Sequence, residues 1–154
     1  PPTGGTSGSR NAHLPHHLTQ WMKKTGRGIV FDSSTMFHLP NGAKRMPDAS
    51  WVREERYRAL SQEERDGIVP IAPDFVVELR SPTDTLPPLR NKMNEYIRAG
   101  VQLGWLIDPQ TETVTVYRDG GSTETLDRPE VVEAATVVDG FSLPMASIWD
   151  PLDS

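Results

Sequence analysis

Residues 73–80 read PDFVVELR, and the run from 75 to 79 decides how the middle of the chain folds. Its residues are almost continuously apolar, as is typical of a short strand that is covered by protein on both faces. Glu78 interrupts this run, and burying its carboxyl is costly unless the group has a partner. The segment therefore predicts a central strand whose Glu78 either pairs with a cation for stability or belongs to a functional site.

The residues that follow predict a helix and then a second strand. Residues 89–99 place their large apolar side chains on one helical face, and Gly100 is suited to end the helix. Residues 103–107, LGWLI, form another apolar run. Strand, helix and strand between 75 and 107 have the length of a βαβ crossover. We therefore expect an α/β domain with a mixed β-sheet flanked by helices.

The amino-terminal part contains weaker patterns. Residues 11–24 have helical apolar spacing, although Pro15 favours a helix that begins close to it. The β-type runs at 29–31 and 36–39 predict a hairpin closed by Pro40-Asn41-Gly42. Ser61 to Glu64 has the spacing of a capping box and predicts a short helical turn.

Length and composition restrict the possible classes of protein. The chain has 154 residues, the size of one domain, and no Cys, which excludes disulfides, thiolate metal sites and Cys nucleophiles. We expect residues 1–9, rich in Gly, Ser and Thr, to be a flexible lead-in to a single domain over 10–154. Because no apolar run approaches the roughly 18 residues of a membrane span, we expect a soluble protein with no membrane partner. The lack of Cys suits a reducing compartment, so the expected location is cytoplasmic.

Charge is distributed unevenly along the sequence. The formal net charge is -5, but residues 1–60 balance to +5 while residues 101–154 balance to -8. A basic half beside an acidic half is compatible with a polyanionic partner, although solvated surface charge explains the same numbers.

Residues 46–52 predict a further strand, and two Pro-Asp dipeptides, Pro47-Asp48 and Pro73-Asp74, stand at the starts of predicted strands. The informative combination is Asp48, then Glu78, then a cation at Arg80 or Lys92. Two carboxylates with water and phosphate oxygens can complete the octahedral shell of Mg²⁺, and a nearby cation can orient the attacking water. This set predicts metal-assisted hydrolysis of phosphodiesters.

Several motifs together carry a resemblance to a known family. They are MPDASWV at 46–52, PDFVVELRSP at 73–82, KMNEY at 92–96, GV at 100–101 and GWLIDP at 104–109. This set resembles the Uma-type putative restriction endonucleases, which belong to the PD-(D/E)xK nuclease superfamily. The resemblance implies a restriction-endonuclease-like core, a divalent cofactor (Mg²⁺ or Mn²⁺), DNA as the substrate and an endonuclease, that is a hydrolase, as the activity.

The resemblance also implies roles for individual residues. Asp48 matches the Asp of the PD element and Glu78 matches the acidic residue of the central strand, which makes both of them metal ligands and catalytic residues. Arg80 stands where the superfamily usually has Lys, and Lys92 matches a Lys that the family places on the next helix. Because Arg cannot release its proton, we assign the catalytic cation to Lys92 and a phosphate-binding role to Arg80, with Arg80 as the alternative cation. Relatives carry a further segment before the point where this chain starts, so we expect an amino-terminal segment to be lacking.

Alternative interpretations stay open from the sequence. A noncatalytic nucleic-acid-binding or assembly module that keeps the nuclease fold fits the basic first 60 residues and the presence of Arg80. A glycosidase using Asp48 and Glu78 ranks lower, since Lys92 would have no evident role. The His residues at 13, 16 and 17 are more simply surface residues than metal ligands. A homodimer is expected, because two sites are the simplest way to cut both strands of DNA.

Overall fold

A computed structural model describes residues 2–152 of the chain. Its helices are α1 (Gly5–Thr25), α2 (Glu54–Arg58), α3 (Gln62–Asp66), α4 (Leu86–Arg98) and α5 (Ala146–Trp149). Its strands are β1 (Ile29–Phe31), β2 (Phe37–His38), β3 (Lys44–Arg45), β4 (Ala49–Val52), β5 (Phe75–Leu79), β6 (Leu103–Asp108), β7 (Thr113–Arg118), β8 (Thr123–Asp127), β9 (Val131–Glu133) and β10 (Ser142–Pro144).

Six strands form the main sheet in the order β1-β4-β5-β6-β7-β8. Only β5 and β6 run parallel in it, and helix α4 makes the crossover between them. The remaining neighbours are antiparallel, so the sheet is mixed and is flanked by helices as predicted. Strands β2 and β3 form a separate two-stranded sheet, and so do β9 and β10.

Alternate residues of β5 enter two different hydrophobic cores, one on each face of the sheet. Phe75, Val77 and Leu79 join the core that contains the buried side chains of α1. Val76 joins the core that contains the buried side chains of α4. Since side chains alternate along a strand, Glu78 shares the α4 face with Val76. The strand is buried along its whole length, as its apolar run predicts.

Helix α4 packs very closely against the sheet at Gly104 of β6. A Cβ atom at this position would lie 2.7 Å from the Cε atom of Met93, so a larger residue would force the end of the Met93 side chain to move. Leu89, Met93 and Tyr96 are the buried residues of α4.

The expectation of a flexible lead-in over residues 1–9 is wrong for residues 5–9, because α1 begins at Gly5. Tertiary contacts stabilise this first part of the helix against its poor helical propensity. The Arg10 guanidinium donates to the carbonyl oxygens of Ile148 and Trp149 at 2.6 and 3.0 Å, and Ser7 is buried. Pro15 lies inside α1 rather than at its start, at the cost of one backbone hydrogen bond.

The predicted hairpin has the correct turn but the wrong strands. β2 pairs with β3 across residues 39–43, with His38 opposite Lys44, whereas β1 pairs with β4 of the main sheet. The turn chemistry acts as expected, because Gly42 has a φ of 90° and the Asn41 side chain accepts from the Ala43 N–H at 3.1 Å. Strand β3 consists of Lys44 and Arg45 and therefore lacks the apolar alternation by which a strand is recognised.

The capping box is confirmed at the start of α3. The Ser61 hydroxyl accepts from the Glu64 N–H at 3.1 Å, and the Glu64 carboxylate accepts from the Ser61 N–H at 2.8 Å. Within residues 2–152, no helix is both long enough and apolar enough to cross a membrane.

Candidate active site

Asp48 and Glu78 come together at the junction of β4 and β5. The antiparallel register pairs Ala49 with Val77 and Ser50 with Val76, and one further step places Asp48 opposite Glu78. The Asp48 carboxylate accepts from the Leu79 backbone N–H at 2.7 Å, which fixes it beside the end of β5. The two carboxyls that the sequence singles out, 30 residues apart, are thus a cross-strand pair.

Helix α4 supplies the groups that face Glu78 from above. The Tyr96 hydroxyl donates to Oε1 of Glu78 at 2.8 Å, and Nζ of Lys92 lies 3.8 Å from the same oxygen. Lys92 and Tyr96 are one helical turn apart, so both point from the same side of α4 towards the strand. Glu78 is only 4% exposed, whereas about a third of the Lys92 side chain is accessible.

The surroundings of the two carboxyls favour retention of a proton. Burial, followed by the neighbouring charge of Asp48, raises the pKa of Glu78 to about 8, against the opposing effects of Lys92 and the Tyr96 hydroxyl. Burial also raises the pKa of Asp48, although the Leu79 N–H and Lys92 favour its charged form. A buried carboxylate and a half-buried one side by side are only partly compensated by the Lys92 ammonium. The pair therefore needs either a proton or an added cation at neutral pH.

Arg80 is bound to β6 and to the loop that follows β5. Its guanidinium donates to the Asp108 carboxylate at 2.9 Å and to the Asp84 carbonyl oxygen at 3.2 Å. Asp108 also accepts from the Gln110 N–H at 3.0 Å, so it both forms the turn after β6 and anchors Arg80. Of the two candidate cations, the structure places Lys92 beside Glu78 and ties Arg80 to β6.

Sequence reasoning missed two contributors to this site. Tyr96 was expected only as an apolar residue of the helix, but its hydroxyl bonds the central carboxylate. The indication was available, because a buried tyrosine hydroxyl needs a hydrogen-bond partner and Tyr96 follows Lys92 by one turn. Asp84, half-buried in the loop after β5, is near enough for its charge to raise the pKa of Asp48. Nothing in the sequence distinguishes it from an ordinary loop residue.

The second Pro-Asp dipeptide has a different environment. Asp74 stands immediately before β5, at the end of the strand opposite to Glu78, and is 2% exposed. Its carboxylate accepts from the Arg53 backbone N–H at 2.8 Å and forms salt bridges with the guanidinium groups of Arg56 at 3.0 Å and Arg53 at 3.6 Å. This acid is surrounded by donors and has a structural role.

The donor set of the acid pair fits a hard divalent cation. Within residues 2–152 no group of three or more His, Asp or Glu side chains is arranged to hold a metal ion, and the contacting histidines at 13, 16 and 17 are no exception. Asp48 and Glu78 offer two carboxylates, and Mg²⁺ commonly binds one or two carboxylates while water and phosphate oxygens fill its other positions. The undercompensated charge of the pair adds an electrostatic reason for a cation here.

Comparisons with known proteins agree with this fold. The model of the Uma2 family, described as "Putative restriction endonuclease", matches residues 1–146. Among solved structures, a putative nuclease belonging to DUF820 from Anabaena variabilis is similar, with a TM-score of 0.80 and 23% sequence identity. The likeness covers 97% of this chain and 83% of that chain, and at this identity it shows a shared fold. A search among curated proteins finds no match.

Proposed function

The chain belongs to the Uma2 family of putative restriction endonucleases, and from this premise we propose that it is a metal-dependent DNA endonuclease of the PD-(D/E)xK type. One observation carries the proposal: Asp48 and Glu78 are opposed across two strands, and the Lys92 ammonium lies 3.8 Å from Glu78. Two carboxylates can hold a metal ion and a neighbouring cation can stabilise the developing charge, so this combination suits metal-assisted hydrolysis of a phosphodiester.

Asp48 and Glu78 would hold the cofactor, Mg²⁺ or Mn²⁺. When bound, the cation would polarise the phosphodiester and lower the pKa of the attacking water. The Leu79 N–H and the Tyr96 hydroxyl each fix one carboxylate, so the ligands are oriented before the metal arrives. Glu78 must lose its proton first, since a carboxylate binds a metal in the charged form.

Lys92 is the proposed catalytic cation. Its partly exposed ammonium is near both carboxyls, where it can orient a water molecule or stabilise the charge that develops on the phosphate. Arg80 is less suited to this role, because its side chain is 15% exposed and its guanidinium is paired with Asp108. We keep for Arg80 a subsidiary role, the binding of a substrate phosphate next to the site.

The proposed substrate is duplex DNA. Hydrolysis at one site breaks one P–O bond and transfers the phosphoryl group to water, which cuts one strand. Two copies of the chain, related by a twofold axis like the two strands, would cut both, and we propose a homodimer on this ground.

Cleavage of supercoiled plasmid tests the proposed function. We expect nicking or linearisation with Mg²⁺ or Mn²⁺, none with EDTA, and a loss of at least about a hundredfold in Asp48→Asn, Glu78→Gln and Lys92→Ala. Glu63→Gln on α3 and Lys24→Ala at the end of α1 are matched controls, since they remove exposed charges elsewhere and should cleave like the wild type.

Two results would contradict the proposal. Metal-dependent cleavage that survives both carboxylate substitutions would place the chemistry elsewhere. Salt-sensitive DNA binding by the wild type without any turnover would instead favour the noncatalytic binding module.

A further inference from the structure

The hairpin formed by β2 and β3 has one buried face and one polar face. Phe37 and Leu39 are 0% and 2% exposed and belong to the core beneath α4. On the opposite face His38 and Lys44 are cross-strand partners, and both are exposed. The hairpin is therefore a firmly packed ribbon that presents cationic and imidazole side chains to solvent.

The hairpin is also fastened to the helix that carries Lys92. Nε of Arg45 lies 2.6 Å from Oε2 of Glu95, and the Asn41 amide donates to Oε1 of the same residue at 3.3 Å. Glu95 follows Lys92 by three residues and directly precedes Tyr96 on α4. A ligand bound to the hairpin is thereby held at a fixed position relative to the groups that face Glu78.

The chain runs from the hairpin directly into the acid pair. Only three residues separate Lys44 from Asp48, so their Cα atoms are at most about 14 Å apart even in a fully extended chain. Neighbouring phosphates on one DNA strand are spaced by several ångströms, so a phosphate held at Lys44 would lie a few nucleotides or fewer from the one at Asp48.

The charge of this surface matches a polyanion. Residues 36–46, MFHLPNGAKRM, contain two cations and no acid. Arg45 is paired with Glu95, whereas Lys44 forms no salt bridge in the part of the chain that the structure describes. Met46 is 45% exposed and continues the same surface towards Asp48. A two-stranded ribbon of this kind is narrow enough to enter the major groove of B-DNA.

We propose that the β2–β3 hairpin binds the DNA substrate next to the cleavage position, with Lys44 binding a backbone phosphate of duplex DNA. This inference rests on the proposed nuclease function, because it assigns a DNA contact to the same site. Lys44 positions the substrate and does not touch the reacting atoms, so its removal weakens DNA binding and leaves the chemical step intact.

The test compares Lys44→Ala and Lys44→Glu with Lys24→Ala, which removes another exposed lysine. Lys24 is a suitable control because it lies at the far end of α1. The first turn of α1 is the end that lines a cleft with the loop 81–84, which follows β5. A helix of this length places Lys24 about 30 Å from that first turn. Binding to a fluorescent 20-base-pair duplex is measured by anisotropy with Ca²⁺ over a salt series, and plasmid cleavage is measured with Mg²⁺.

We expect Lys44→Ala to raise the Kd about tenfold at low salt and to reduce the salt slope by about one. Lys44→Glu should weaken binding further, and Lys24→Ala should bind like the wild type. At saturating DNA the cleavage rate of Lys44→Ala should equal that of the wild type.

The outcomes separate this inference from the nuclease proposal. If the wild type cleaves DNA but the two alanine variants bind it equally well, the hairpin inference is overturned and the proposed function stands. If no protein cleaves DNA but Lys44→Ala alone loses affinity and salt slope, the hairpin inference is supported and the nuclease proposal fails. Loss of cleavage by Lys44→Ala at saturating DNA would also overturn the positioning role.

Discussion

Strand β5 has a buried acid at each of its ends, and the charged groups around the two acids differ. Asp74, just before the strand, is 2% exposed and Glu78, near its end, is 4% exposed. Asp74 accepts one backbone N–H and faces two guanidinium groups. Glu78 has a neutral tyrosine hydroxyl, an ammonium at 3.8 Å and a second carboxyl opposite it.

The difference between the two acids shows that burial alone does not identify a site. Both residues are buried acids, and Asp74 directly precedes the apolar run 75–79 while Glu78 lies inside it. What separates them is compensation of charge, because Asp74 is surrounded by donors and Glu78 shares one ammonium with Asp48. An acid that lacks compensation is available to bind a cation, whereas a compensated acid stabilises the fold.

The largest expected effect on stability comes from removing Asp74, the acid whose charge is compensated. Asp74→Ala should lower the free energy of unfolding by about 3–5 kcal/mol, because it leaves two partly buried guanidinium groups without their carboxylate. The measurement is urea denaturation at pH 7, with the cleavage rate expressed per folded molecule. That rate should stay near the wild-type value, since Asp74 is at the other end of β5. A large loss of cleavage by fully folded Asp74→Ala would refute the distinction between the two ends.

A smaller effect on stability is expected from neutralising Glu78, the acid whose charge is only partly compensated. Folded Glu78 keeps its proton up to a pKa of about 8, whereas an unfolded glutamic acid loses it near 4.5. Between these values the folded state binds more protons, so this residue makes the free energy of unfolding fall as the pH rises. Glu78→Gln should remove that slope and be more stable than the wild type at pH 8, by on the order of 3 kcal/mol.

Thermal or urea unfolding from pH 4 to 9 checks this prediction, with Glu63→Gln on the surface of α3 as the matched control. Glu63→Gln should keep the wild-type slope. Equal slopes in the wild type and Glu78→Gln would mean that Glu78 is compensated in the same way as Asp74.

The central strands and the acid pair could be predicted from the sequence because local patterns determine them. An apolar run of five residues, a helix with one apolar face and another apolar run define β5, α4 and β6. Because β4 lies antiparallel to β5 in the register that pairs Ala49 with Val77, Asp48 stands opposite Glu78. The sequence prefers Lys92 to Arg80 through the resemblance, and it cannot show that Arg80 finds its partner Asp108 on the neighbouring strand β6.

Other features depend on contacts that leave no local pattern. The first turns of α1 are stabilised by bonds from Arg10 to the carbonyl groups of α5, about 140 residues later in the chain. Strand β3 pairs with β2 and is joined to α4 by the bond from Arg45 to Glu95, although its two residues have no strand pattern. The compensation of Asp74 by Arg53 and Arg56 likewise comes from chain segments that only the folded structure brings together.

The most direct test of the acid pair is the binding of Mn²⁺ at several pH values, measured by calorimetry in buffers of different ionisation enthalpy. Glu78 must release its proton to bind the ion, so the wild type should release close to one proton per Mn²⁺ at pH 7. Its affinity should rise by up to about tenfold per pH unit until pH 8. Glu78→Gln should lose this binding, and Asp74→Asn, where it folds, should retain it. Wild-type binding without proton release, or binding of equal strength by Glu78→Gln, would contradict the account.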